Sequence, residues 1–494
     1  MKDILSLINQ VTSKVDDDET TGKFGTGFMT TMLLSDVVNI KSVLQDKDLQ
    51  DKDLPYKPFD VDINRSPETS QEIVNEINKS ITQLYKADKN EEILNFNKDD
   101  YNTIFTYELK NDKNRKAAMK GIQNLNETIY YIFAFSNKYK SIKVSIDTKN
   151  KKEQKEFTKE KEEKIADNTY EIKIKEDNNK IKTVIVYRKE KENISLAMMV
   201  DENKKILPVG EQMPKLFISF PLIGSENFPF PIVINCQDFQ PNETRSNIAL
   251  VENEDSTDSK INKEIINKSV GFFEEFLEKL IELNYQNFEN FIKIAKYTKD
   301  SERSEGFVKR NIYQNLYSII EKKEIIKCND DKMRCLNNKD LYIIYDEDDE
   351  VRKEMKNILS RCKNIFYPIE PDNWKKNLEG YEVEINNMKN LENIVIDIDK
   401  ENKKFINIED DKIINWLNDL FKIIRKKPEL YNKILYDKYR YFPCQESEVF
   451  SKLEYCKNIF VDPGISDYIK NITFEIDDNL SYSKRLYLKI YSRL

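Results

Sequence analysis

Histidine is absent from all 494 residues, and glycine is nearly so, with ten in the whole chain. Without histidine, Ser–His and Cys–His nucleophilic catalysis and phosphohistidine chemistry are excluded. The six cysteines (Cys236, Cys328, Cys335, Cys362, Cys444, Cys456) are scattered with no CxxC pair. A zinc site would need four thiolates from distant segments, so free buried thiols are expected. No apolar run approaches the roughly 20 residues that cross a bilayer. The start, MKDILSLINQ, carries an acid where a secretory leader has its basic and apolar segments. A cytoplasmic protein without membrane partners is the expectation. A net positive charge is also lacking: the balance of −8 argues against a general nucleic-acid binder. The triplet Arg425-Lys426-Lys427 reads as a solvated helix end. Any catalysis must therefore use carboxylates, lysines, arginines, metal ions or backbone amides.

What is present points to an α+β chain in three parts, 1–140, 141–255 and 256–494. In the first, Asp3 to Val11 is a short amphipathic helix, followed by the aperiodic polar stretch Ser13 to Thr21. Phe28 to Ser35 is an apolar helix, and Val37 to Val43 is β-branched and strand-like. Thr69–Tyr85 and Asn114–Phe135 read as helices, Thr103–Leu109 as a strand. The second part is β-rich, with strands expected at Ser141–Asp147, Tyr170–Lys175, Lys182–Arg188, Ser195–Val200, Leu216–Leu222 and Pro231–Asn235. The charge-dense run from Lys149 to about Lys164 reads as a solvated hairpin tip or helix. Helices dominate the third part, as in Ile261–Leu283, Val308–Glu321, Ile413–Ile424 and Glu429–Leu435. Two strand–turn–strand modules interrupt them, one from Ile326 to Ile343 and one from Phe442 to Val461; true repeat and chance similarity both remain open.

Three of the ten glycines, Gly22, Gly25 and Gly27, fall in the stretch TGKFGTGF. Glycines running into a helix let the chain turn sharply, expose successive N–H groups and set a helix N-terminus beneath them. That concavity suits phosphate; the alternative is a tight turn packed on a strand. No lysine–hydroxyl pair follows Gly27, which excludes a P-loop. No strand precedes the glycines, as a Rossmann turn requires.

The segment KDILSLINQVTSK…GKFGTGFMTTMLLSDVVNIKS resembles the GHKL, or Bergerat-fold, ATPases. It is closest to the heat-shock chaperones of the ninety-kilodalton class and the sacsin-type proteins. The resemblance implies an incomplete Bergerat-type α/β sandwich, then a β-rich middle domain and a mainly helical C-terminal region. It implies ATP with Mg²⁺, held by the box Gly22, Lys23, Phe24, Gly25, Thr26, Gly27 and Phe28. Lys14 matches a phosphate-contacting lysine before the lid, and Thr103 a threonine lining the base. FPLIGSENFPFPIVINCQDFQPNETRSNIAL is similar to the sacsin-type stretch, and places Arg245 as the catalytic arginine, with Asn242 or Asn247 beside it. A structural arginine after Pro241 is the competing reading.

Two family motifs are missing from this sequence: the helix with a general-base glutamate and a Mg²⁺-ligating asparagine, and the Asp-x-Gly-x-Gly turn. Asn9 cannot substitute, because Leu5 stands four residues before it. Three explanations are open: a start inside the gene, a degenerate relative, or a second polypeptide supplying the missing half. The first is favoured because the box is intact. In-frame DNA upstream of Met1 is then expected to encode both motifs. The function expected is an ATP-binding, chaperone- or sacsin-like protein acting on a protein client, with a homodimer as one form. The alternatives are a non-catalytic interaction scaffold and a DNA-processing GHKL relative, the last disfavoured by the acidic charge.

Overall fold

The computed structural model describes residues 2–9, 26–44, 57–89, 102–148, 152–177, 180–242, 244, 246–251, 256–294, 302–346, 348–362, 364–400, 413–435, 442–443 and 450–451. The fold is α+β, and the chain divides into two compact units, Met1–Ile129 and Tyr130–Leu494. Among the described residues no helix is long and apolar enough to cross a membrane.

The first unit is built on three antiparallel strands, β1 (Val37–Leu44), β2 (Lys57–Asn64) and β3 (Ile104–Tyr107), with β1 in the middle. Period-two alternation sends Val38, Ile40, Phe59, Val61 and Ile63 to one face, where they are buried. Helix α1 (Lys2–Ile8) adds Ile4 and Ile8 to that core, and α2 (Ser70–Asp88) adds Leu84. Thr69 caps α2: its Oγ1 accepts from the Glu72 amide, and its hydroxyl donates to the Glu72 carboxylate at 2.8 Å. β2 was not anticipated. Its outward positions Asp60 and Asp62 mask the Phe59–Val61–Ile63 alternation, and Asn39 of β1 donates to both carboxylates, at 2.7 and 2.9 Å.

The division between the units falls within α3 (Asp112–Phe135). The second unit carries an eight-stranded sheet. Its strands are β4 (Ser141–Asp147), β5 (Lys152–Ala166), β6 (Thr169–Glu176), β7 (Lys180–Lys189), β8 (Ile194–Val200), β9 (Leu216–Ile218), β10 (Phe220–Pro221) and β11 (Val233–Cys236). They lie in the order β10-β9-β11-β8-β7-β6-β5-β4. All neighbours are antiparallel except β11 and β9, which are parallel. Helix α4 (Thr257–Glu282), capped by Ser256, packs on this sheet, with Phe276 stacked on Tyr187 at 5.6 Å. The same core continues into the helices beyond residue 300 through Ile312, Leu316, Trp374 and Leu378.

Residues 152–164 of the charge-dense run form neither a hairpin tip nor a helix; they belong to β5, the longest strand. Their apolar pattern is nearly empty because most outward side chains pair with each other instead. Phe157 is the exception, 1% exposed and set edge-on to Tyr130. Glu162 takes Lys159 at 2.5 Å and Arg188 of β7 at 2.9 Å. Leu216–Leu222, read as one strand, breaks at Ser219, whose φ of 60° cannot continue the pleat. Val308–Glu321 is helical, but its first part, Val308–Tyr313, is a π-helix.

Both strand–turn modules open with a two-residue antiparallel pair, Ile326–Lys327 with Met333–Arg334 and Phe442–Pro443 with Phe450–Ser451. In the first module Ile343–Ile344 pairs in parallel with Met388–Lys389. Asn458–Val461 of the second module lies outside the described residues.

Gly224 stands where only glycine fits. Its φ is +115°, and a Cβ there would meet Cβ of Ser246 at 2.6 Å and its carbonyl oxygen at 3.0 Å. Gly224→Ala is expected to lower stability by about 1–3 kcal/mol, since strain and clash act together. Urea denaturation measures it, and an unchanged midpoint would be the wrong result for this geometry.

Candidate anion-binding site

The described end of the glycine box opens a 3₁₀ helix, Thr26–Leu33, that leads directly into β1. The helix is tied down at both ends. Asn114 of α3 donates its side-chain amide to the Leu33 carbonyl at 2.9 Å, and the Thr31 hydroxyl donates to the Phe28 carbonyl at 2.6 Å. Arg65, at the end of β2, reaches the same point. Its backbone amide donates to the Asp36 carbonyl at 2.8 Å, which fixes its Cα beside the start of β1. Its Nη1 donates to the Phe28 carbonyl at 3.1 Å, and its guanidinium lies 4.1 Å from the Phe28 ring centre. The Phe28 ring in turn meets Phe105 of β3 edge-on at 6.0 Å.

Thr103 precedes β3 by one residue and is exposed. Its hydroxyl shares a 2.7 Å hydrogen bond with Ser42 of β1. Lys14, Gly22, Lys23, Phe24, Gly25 and Arg245 lie outside the described residues. Asn242 is spent inside its own turn: its side-chain oxygen accepts from the amides of Ser246 and Asn247 at 2.9 and 3.3 Å. The Asn247 side-chain oxygen accepts from the Ile248 amide at 2.9 Å. Both asparagines therefore shape the loop closed by the Pro241–Ile248 bridge. Among the described residues no three acidic or thiol side chains converge as a metal set.

Arg65 is the functional candidate that sequence reading missed. Next to it lies a cavity of about 180 Å³, lined among the described residues by Ile8, Met32, Ile63, Asn64, Arg65, Ile73, Ile77 and Ser80. Arg65 Nε and Nη2 are out of water and have no acceptor. Burial lowers the Arg65 pKa from its usual value, with Tyr107 opposing. A buried N–H without a partner costs about 1–3 kcal/mol, and a charged hydrogen bond contributes about 1.5–3 kcal/mol. Two such nitrogens are unpaired at Arg65, so a cost of about 2–6 kcal/mol nearly balances one charged hydrogen bond together with the contact on the Phe28 ring. Arg65→Met is thus expected to change stability by no more than about 1 kcal/mol in either direction. A chemical-denaturation loss well beyond that would mean that the arginine is retained for folding. The only sequence signal for it was a lone arginine closing the alternating stretch Phe59–Ile63.

No protein-family model matches the chain, and no curated protein is significantly similar to it.

Proposed function

We propose that the chain is an ATP-binding protein of the GHKL type, similar to the sacsin-like and chaperone-like members. Nucleotide contacts at the glycine box would drive lid and domain closure onto a protein partner. One observation supports this above the rest: α1, the glycine box, the 3₁₀ helix Thr26–Leu33 and β1 follow each other in the order that the resemblance implies. Amides at the start of that helix are free of strand pairing and lie at the positive end of the local dipole, where phosphate oxygens are favoured. Thr26, Gly27 and Phe28 would hold them. An Arg245 contact would strengthen as charge develops on the transferred phosphate, and so would act on rate more than on affinity.

The second reading is a scaffold that binds partners without turnover. The scaffold reading predicts that the 494-residue chain neither binds ATP tightly nor hydrolyses it. The check is a Mg²⁺-dependent phosphate-release assay on the purified chain. Robust turnover that disappears in Gly25→Glu would refute the scaffold reading and support the ATP-binding one.

A further inference from the structure

We propose that the chain forms a two-fold homodimer in which the open edges of β4 pair antiparallel, so that the eight-stranded sheet runs on into that of a second copy. Both sides of this contact belong to the second unit, and it does not depend on the nucleotide reading.

The two edges of the sheet are built differently. β10, at one end, is two residues long and includes Pro221, which has no amide to donate. That edge is blunted. β4, at the other end, runs for seven residues, Ser141–Asp147, without proline or glycine, and pairs with β5 in an unbroken register. Among the described residues it has no second strand partner. A long, regular edge of this kind is a template for a further strand.

Hydrogen-bond direction fixes which groups that edge presents. The Lys159 amide donates to the Lys140 carbonyl at 3.2 Å. The Glu156 amide, opposite Lys143, donates away from β4 to Asp177 at 2.8 Å. Bonded and non-bonded pairs alternate along an antiparallel ladder. Ile142, Val144 and Ile146 therefore bond to β5, while Ser141, Lys143, Ser145 and Asp147 turn their amides and carbonyls outward.

Those four positions select both the occupant and its register. With Val144 on the two-fold axis, Ser141 lies opposite Asp147 of the second copy, and Lys143 opposite its Ser145. All four outward residues are then matched, with about eight backbone hydrogen bonds across the axis. Lys143 reaches Asp147 of the second copy diagonally, within the range of a long side chain, and no like charges face each other. A shift that put Lys143 on the axis would set two lysines together. Centring on Ser145 would leave Ser141 and Ile142 past the strand's end. On the other face, Ile142 meets Ile146 and Val144 meets Val144, so the half-buried apolar row of each copy becomes one strip. The second copy supplies this charge order by symmetry.

Sedimentation velocity of the whole chain across the micromolar range tests this, and a monomer–dimer equilibrium is expected. Ser145→Pro removes one outward amide and spares the bonds to β5. It should weaken the dimer at least tenfold with an unchanged urea midpoint. Lys143→Asp and Asp147→Lys should each weaken self-association, and mixing the two variants should restore it, because both diagonal pairs re-form between unlike copies. Register is read by mild oxidation. Val144→Cys should cross-link two copies above the background of the parent chain, since a non-bonded pair sets Cα atoms about 4.5 Å apart. Ile142→Cys should not. Should Ser145→Pro fail to fold, these two cysteine variants decide. A chain that stays monomeric at every concentration would overturn the proposal. So would undiminished association of a folded Ser145→Pro protein, no gain on mixing the charge variants, or Ile142→Cys cross-linking as readily as Val144→Cys.

Discussion

Truncating Phe273 to alanine is expected to destabilise the second unit by about 3–5 kcal/mol, the range for deleting a fully buried phenylalanine. Phe273 lies on α4 and has no exposed surface. Its ring stacks on Phe291 at 4.7 Å and meets Phe230 edge-on at 6.0 Å. The hole left behind would be walled by the helix and the sheet connections at once, so little of it can collapse. Phe105→Ala, at a position 43% exposed, serves as the control and should cost less than about 1 kcal/mol. Urea denaturation followed by circular dichroism measures both. Similar midpoints for the two variants would contradict the packing described for α4.

The second large effect has the opposite sign. Lys215, just before β9, is 5% exposed, and among the described residues its Nζ donates to the Pro231 carbonyl alone, at 3.4 Å. Burial, with the charge of Lys293 adding to it, pushes the Lys215 pKa down to about 7. In the unfolded chain the same amine titrates near 10.4, as an ordinary lysine does. Below pH 7 it is charged in both states, and folding carries the full penalty. Between about pH 7 and 10 the unfolded chain holds the extra proton, so stability rises with pH across that window and levels off above it. At about 1.4 kcal/mol per pH unit the penalty is at most about 5 kcal/mol. Lys215→Met is therefore expected to raise stability at neutral pH by a few kcal/mol, and to remove the rise between pH 7 and 10. A variant less stable than the parent at pH 7, with the rise retained, would show that the amine is solvated.

How much of this was legible in the sequence depends on whether a residue's partners lie nearby in the chain. Strands with an apolar face were read closely: Ser141–Asp147 is the same in both, and Val37–Val43 is one residue short of β1. The α2 start was likewise visible, since Thr69 and Glu72 bond each other locally. β5 was not, because its charged side chains pair mostly among themselves, with Lys175 of β6 and Arg188 of β7 joining in, and charged alternation looks like solvated chain. Arg65 was invisible because the carbonyl and ring it touches belong to Phe28, thirty-seven residues earlier. Lys215 gave no sign either, since nothing in MPKLF marks the lysine as the buried position. The glycine box itself was plain in the sequence, although of its residues only Thr26, Gly27 and Phe28 fall within the described part of the structure.

The central claim is that this box receives phosphate. Amide hydrogen exchange across residues 21–28, with and without Mg·ATP at millimolar concentration, tests it most directly. Binding in the millimolar range, about −4 kcal/mol, is expected. Saturable slowing of exchange at Thr26, Gly27 and Phe28, abolished in a folded Gly25→Glu protein, is the predicted result. Exchange at those amides that stays unchanged at every nucleotide concentration, in a chain that is demonstrably folded, would contradict it.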